Sequence, residues 1–237
     1  MPILTKIEIY KNRGEMGKLA VVACILLISA FFCANIYAAP PDNHEFQLWN
    51  TDGVSWKFAD KWKAALEEEF RFYDDARDLM YRHTDFGITY SGLAKWFDLE
   101  ANFRQIFEKR SNVWREEDTP HASGIFKFDI EGVSITNRNK FEYRIREAAD
   151  DFWRYRNTTK LKFPIKLTKL EIQPYASDEF IVDFDKRKMN ENRLVGGITL
   201  EPFKQVELDL YYMLQSKKPS KDWLDYNALG IKAKVAF

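Results

Sequence analysis

The stretch Gln205-Val206-Glu207-Leu208-Asp209-Leu210-Tyr211-Tyr212-Met213-Leu214-Gln215-Ser216 decides the fold. Val206, Leu208, Leu210, Tyr212 and Leu214 fall on one side. Gln205, Glu207, Asp209, Tyr211 and Met213 fall on the other. A period of two is the mark of an extended strand with two different faces, whereas a helix would repeat near 3.6. The run is also long. Strands of soluble domains average ~5–6 residues, and a tilted strand that crosses a bilayer needs ~9–11.

The same alternation recurs outward from this stretch. Leu229, Ile231, Ala233, Val235 and Phe237 alternate with Gly230, Lys232, Lys234 and Ala236. Phe97, Leu99, Ala101 and Phe103 alternate with Asp98, Glu100, Asn102 and Arg104. Phe126, Phe128 and Ile130 do so with Lys127, Asp129 and Glu131, and Phe141, Tyr143 and Ile145 with Lys140, Glu142, Arg144 and Arg146. The polar face carries dense charge of both signs. Trp49, Trp56, Trp62, Trp96, Trp153 and Trp223 fall near segment ends, where the aromatic girdles of a membrane barrel belong. Residues 61–73 are ambiguous, because Trp62, Leu66, Phe70 and Tyr73 also fit helical spacing; their flanks favour a strand.

Twelve strands are predicted, at 44–50, 53–58, 61–73, 80–91, 95–108, 121–131, 134–147, 153–163, 168–184, 191–200, 204–216 and 222–237, with ten as the alternative count. The first two are short enough to be one interrupted strand. Pro174 and Asp178 predict a bulge within 168–184. Short connections at 59–60, 92–94, 132–133, 164 and 202–203 alternate with longer polar ones at 74–79, 109–120, 150–152, 185–190 and 217–221. That asymmetry fits an all-β, antiparallel, up-and-down transmembrane barrel whose short turns face the periplasm. An even strand count puts both termini in that compartment.

The first 38 residues differ from the rest. Lys6, Lys11, Arg13 and Lys18 precede the apolar run Leu19–Ala34, broken only by Ser29, and small residues end at Ala38 and Ala39 before Pro40. This is the order of a cleaved signal peptide, placed at 1–38 with the barrel at 39–237. Met16 offers an alternative start. A membrane anchor is the rival reading, but the run is shorter than the ~20 residues that span a bilayer. A lipid-modified Cys33 is disfavoured by Phe31 and Phe32 before it. Both cysteines, Cys24 and Cys33, lie in this leader, so the body has no thiol chemistry. Without the leader 32 basic and 34 acidic residues remain, which excludes nucleic acid as a partner by charge.

Several short motifs carry a resemblance. They are Trp49, Trp62 with Glu67-Glu68-Glu69-Phe70-Arg71-Phe72, Asn139-Lys140-Phe141-Glu142-Tyr143-Arg144, Glu179-Phe180, and Asn192-Arg193-Leu194 with Tyr211-Tyr212. In these the chain resembles the bacterial family called domain of unknown function 2490, a set of predicted outer-membrane barrels. The resemblance implies a Gram-negative outer-membrane location and no assigned activity. Phe237, closing an alternating last strand, resembles the signal read by the barrel-assembly machinery. The partners expected are therefore outer-membrane lipid and that machinery.

Chemistry is sparse. His44, His83 and His121 lack metal-ligand spacing, and no nucleotide, phosphate-loop or calcium motif is present, so neither metal nor cofactor is expected. His83 with Ser91 or Ser123 is the only serine–histidine combination that invites attention, and no motif supports it. The candidate site is a lumen charge network of Glu67, Glu69, Arg71, Glu100, Arg104, Glu142, Arg144, Arg146 and Arg156. Asp98, Lys140, Arg154, Lys160, Lys162, Glu171 and Asp183 are expected on the same inward face. Charges opposed across neighbouring strands can pair and fill a narrow barrel. The functions left open are small-solute passage or a structural role, a barrel enzyme or binder acting on lipid or a surface ligand, and a secreted soluble sandwich or lipocalin-like binder.

Overall fold

The computed structural model describes residues 45–147, 149–165, 167, 171–185, 188–219 and 222–237. The expected leader, both cysteines and His44 lie outside these residues. The described chain is built from eleven strands: β1 (Phe46–Ala59), β2 (Trp62–Tyr73), β3 (Asp78–Ala94), β4 (Phe97–Arg110), β5 (Val113–Ile130), β6 (Val133–Arg146), β7 (Phe152–Lys162), β8 (Gln173–Asp183), β9 (Lys188–Phe203), β10 (Val206–Lys217) and β11 (Leu224–Ala236). Each pairs antiparallel with the next, and β1 closes on β11 to complete a barrel. Closure overturns the two-sheet sandwich as an architecture, because no edge between two sheets remains. The ambiguous segment 61–73 is strand β2.

The expected count of twelve is corrected to eleven. Thr51-Asp52-Gly53 reads as a break between two short strands. In the barrel these residues are paired on both sides, with Lys232, Ala233 and Lys234 of β11 and with Glu69, Glu68 and Glu67 of β2. Two complete ladders outweigh the local turn propensity of a Thr-Asp-Gly triplet. With an odd count the first and last strands run the same way, so β1 and β11 pair in parallel. The chain therefore enters β1 at one end of the barrel and leaves β11 at the other, where an even count would have put both of these points at one end.

A second correction concerns 109–120, read as a long loop. Here β4 and β5 continue to a two-residue turn, Ser111-Asn112, with φ of 49° and 62°. Both residues in the left-handed region make the tight hairpin turn that matches strand twist. Its stretch Arg115 to Thr119 is polar on both faces, so alternation could not reveal it. The other two-residue turns, Asp60-Lys61, Lys95-Trp96, Glu131-Gly132 and Lys204-Gln205, share one end of the barrel with the ten-residue β7–β8 connection. The register shift of β8 falls between Ile181 and Val182, beyond the proline expected to mark it.

The faces are reversed relative to a soluble protein. Along β10, Leu210, Tyr212 and Leu214 are exposed while Asp209, Met213 and Gln215 are buried. Phe86, Phe103, Phe141, Trp153, Leu229 and Ile231 are likewise exposed, and Glu69, Asp85, Arg104, Lys140, Glu142 and Glu179 are buried. Trp56, Trp62 and Trp96 lie outside near the tight-turn end, and Trp114, Trp153 and Trp223 outside near the other. Trp49 does not join them. It is 4% exposed, inside the barrel, with its indole donating to Gln47 Oε1 at 2.9 Å. With Met213 and Ala228 it forms a small apolar patch in an otherwise charged interior. Gly230 and Gly197 make room for Tyr211, whose ring or Cβ occupies the space a side chain would need at either.

The outer wall has polar interruptions, among them Asn50 and Asp52 of β1 with Glu68 of β2 and Thr84 of β3, and a larger group on β6 and β7. Asn137, Asn139, Tyr155, Asn157 and Thr159 of β6 and β7 bond to one another, for example Tyr155 Oη to Asn139 Oδ1 at 2.6 Å and Asn137 Nδ2 to Thr159 Oγ1 at 2.9 Å. Mutual satisfaction is what allows five such groups on an apolar wall.

Candidate functional site

Among the described residues, two cavities lie in the interior on either side of a neck of charged side chains. One, of about 360 Å³, opens at the end of the longer connections, where Arg110, Arg146 and Lys218 line it. The other, of about 310 Å³, is lined by Lys63, Glu100, Arg138, Lys232 and Lys234. Arg104 lines both and so marks the neck.

Register builds the neck. Asp85 is the direct partner of Arg104, His121 of Glu142, Lys140 of Arg156, and Glu179 of Arg193. Residues opposed in this way stand close enough to pair. Asp85 accepts from Arg104 at 2.7 Å, from His121 Nε2 at 3.0 Å and from Asn102 at 2.8 Å. Glu142 lies 3.8 Å from Arg104 and 3.2 Å from Arg156. Arg156 bonds both oxygens of Glu179 at 2.9 Å, Glu179 meets Arg193 at 3.1 Å, and Arg193 meets Glu191 at 2.5 Å. Opposite signs thus alternate from β3 round to β9. Arg144 grips Glu117 with two donors, and Arg154 meets Asp183 at 2.6 Å.

On the facing wall Arg71 pairs with Glu69 at 2.5 Å. Its guanidinium lies between the Trp49 ring at 3.7 Å and the Tyr81 ring at 4.0 Å. A cation held between two aromatic faces gains quadrupole attraction in addition to its ion pair. Lys232 holds Glu67 at 2.5 Å.

Of the candidate network, Glu69, Arg71, Arg104, Glu142 and Arg156 form the neck and its facing wall. Arg144 and Arg146 line the larger cavity, and Glu67 and Glu100 line the smaller one. Asp98 lies outside the neck and pairs with Lys127 at 2.8 Å. Lys160 and Lys162 reach Asp209 and Glu207 of β10. Glu171 is not an inward strand residue, because it occupies an exposed turn with φ of 51° before β8 begins. Sequence reasoning missed Asp85, Glu117, Glu179, Glu191 and Arg193. Extending the period-two reading along β3 from Tyr81 through His83 to Asp85 would have found the first of these.

Two chemical alternatives can be weighed. Ser91 is eight residues along β3 from His83, roughly 26 Å at ~3.3 Å per residue, so that combination is not a dyad. Ser123 lies on the inward face of β5 beside His121, but its buried Oγ has no hydrogen-bond partner. A nucleophile needs a base within hydrogen-bond reach, and this serine has none. The ligand atoms of Glu67, Glu69 and His83 lie within 4.8 Å of one another, the one cluster among the described residues with the makings of a metal site. Lys232 and Arg71 already neutralise its two carboxylates. A divalent ion would have to displace them.

A family model described as a protein of unknown function, DUF2490, matches residues 46–226. The chain belongs to this family. The match begins at the first residue of β1 and reaches into β11, so the DUF2490 unit corresponds to the barrel and takes in part of every strand. No curated protein and no solved structure matches the chain. The name DUF2490 carries no activity, and function has to be argued from the barrel's two faces.

Proposed function

We propose that this DUF2490 protein is an outer-membrane barrel, exported by a signal peptide at 1–38, whose lumen is closed by paired charges and takes up or passes a small solute. The observation that carries the reading is the reversal of faces on β10, with Leu210, Tyr212 and Leu214 exposed and Asp209 and Gln215 buried. In water such an apolar wall would aggregate, and in hydrocarbon it is the surface required. Two levels of exterior tryptophan support it, as the headgroup girdles of a membrane barrel. In this reading the tight-turn end and Phe237 face the periplasm, where the assembly machinery engages β11. Outer-membrane lipid is then the barrel's standing partner.

The ion-paired neck favours a gated or binding lumen over a freely open pore. Fractionation tests the location. The protein is expected in the outer membrane, with faster gel mobility before boiling than after. Recovery in the soluble fraction, with one mobility, would overturn the reading.

A further inference from the structure

The larger cavity is unevenly charged in a way that the whole chain is not. Its lining carries ten basic side chains and five acids, and four of the acids are engaged with arginines of the same lining. Glu108 holds Arg110, Glu142 holds Arg156 at 3.2 Å, Asp183 holds Arg154 at 2.6 Å and Glu191 holds Arg193 at 2.5 Å. Three cations on the same lining form no ion pair within 4 Å of a carboxylate among the described residues. Arg146 spends its donors on the backbone carbonyl of Asp150 and lies 4.6 Å from the Phe152 ring. Lys218 lies 5.8 Å from the Trp223 ring, and Lys217 feels Glu191 and Glu108 without a contact ion pair to either.

Surplus positive charge in a concave site draws anions, because the low-dielectric walls focus the field. The paired arginines add donors of their own, since a guanidinium has five N–H groups and one carboxylate takes only two. Such planar forks match phosphate oxygens. A volume of about 360 Å³ falls in the ordinary range of small-molecule sites, ~300–1,000 Å³. Two phosphate groups carry about three to four negative charges at neutral pH, which a lining of ten basic against five acidic side chains can neutralise.

We propose that this cavity binds a compact phosphate-bearing anion of the diphosphate type. The proposal names the solute class of the barrel proposed above, but the charge argument stands whether or not the outer wall meets lipid. The acids behind the lining keep the arginines in place, and Arg146, Lys217 and Lys218 supply the net attraction.

The test is calorimetric titration of the purified full chain with pyrophosphate in low salt. Low salt matters because exposed charges are screened beyond ~10 Å at 0.1 M. One-site binding is expected, at least tenfold tighter than for orthophosphate. The Arg146→Gln/Lys217→Gln variant should bind at least tenfold more weakly, while Lys63→Gln, in the other cavity, should match the parent. Unchanged heat-dependent mobility of the double variant shows that it folds.

A second arm adds phosphatidylcholine vesicles with and without a diphosphorylated glycolipid. Displacement of pyrophosphate by the glycolipid assigns the site to a lipid headgroup, and its absence assigns it to a soluble anion. Either agrees with the proposed chemistry. No heat of binding with pyrophosphate, or equal affinity in the double variant, overturns the proposal. A soluble protein that still binds pyrophosphate overturns the membrane reading alone.

Discussion

Arg104 shows why single residues matter in this interior. It touches both cavities, pairs with Asp85 on β3 and faces Glu142 on β6. Removing it leaves Asp85, which is 5% exposed, with only His121 and Asn102 as hydrogen-bond partners. Breaking a buried pair from one side costs ~3–5 kcal/mol, whereas replacing both partners with apolar groups is often close to neutral. Arg104→Ala is therefore expected to lower the unfolding free energy by that order, read as a lower urea midpoint at unchanged slope. The Arg104→Leu/Asp85→Leu variant should recover at least half the loss. An unchanged midpoint for Arg104→Ala would show that the neck does not hold the barrel together.

At the scale of elements, the legible strands were those whose two faces differ. β4, β6, β10 and β11 alternate cleanly, and each lies within about two residues of its expected bounds at one end at least. Two kinds of segment escaped. The early part of β5, Arg115 to Thr119, is polar on both faces and so has no period. Thr51-Asp52-Gly53 looks like a turn because local preference says nothing of ladders formed with distant β11. Trp49 was assigned to a girdle by residue type, although it shares its parity with Gln47 and Thr51, the inward face of β1. The candidate charges were legible because inward positions follow parity; which acid pairs with which base depends on register across strands, and that the sequence does not print. The parallel seam can be checked by cross-linking. Asp52 and Ala233 are direct partners there, and both native cysteines lie in the expected leader. Neighbouring strands are ~4.8 Å apart, within the reach of a disulfide. In the cysteine-free background, Asp52→Cys with Ala233→Cys should oxidise to a cross-linked, reducible species. Failure to cross-link at this pair, with success at pairs of some other register, would contradict the eleven-strand closure.

For the molecule as a whole, the two faces of the wall and the charge-filled interior form one argument. A closed barrel leaves no unpaired strand edge, the condition for burying β-structure in hydrocarbon. Its exterior carries most of the exposed apolar side chains, and its interior holds the dense network of paired charges. The most direct measurement is a spin-label scan of positions 206 to 215 in lipid vesicles, with oxygen and a polar nickel complex as relaxants. Labels at Val206, Leu208, Leu210, Tyr212 and Leu214 are predicted to show high oxygen and low nickel accessibility. Labels at Glu207, Asp209, Tyr211, Met213 and Gln215 are predicted to show low oxygen accessibility. A profile without period two, or one in which nickel reaches the even positions, would contradict the membrane-embedded barrel.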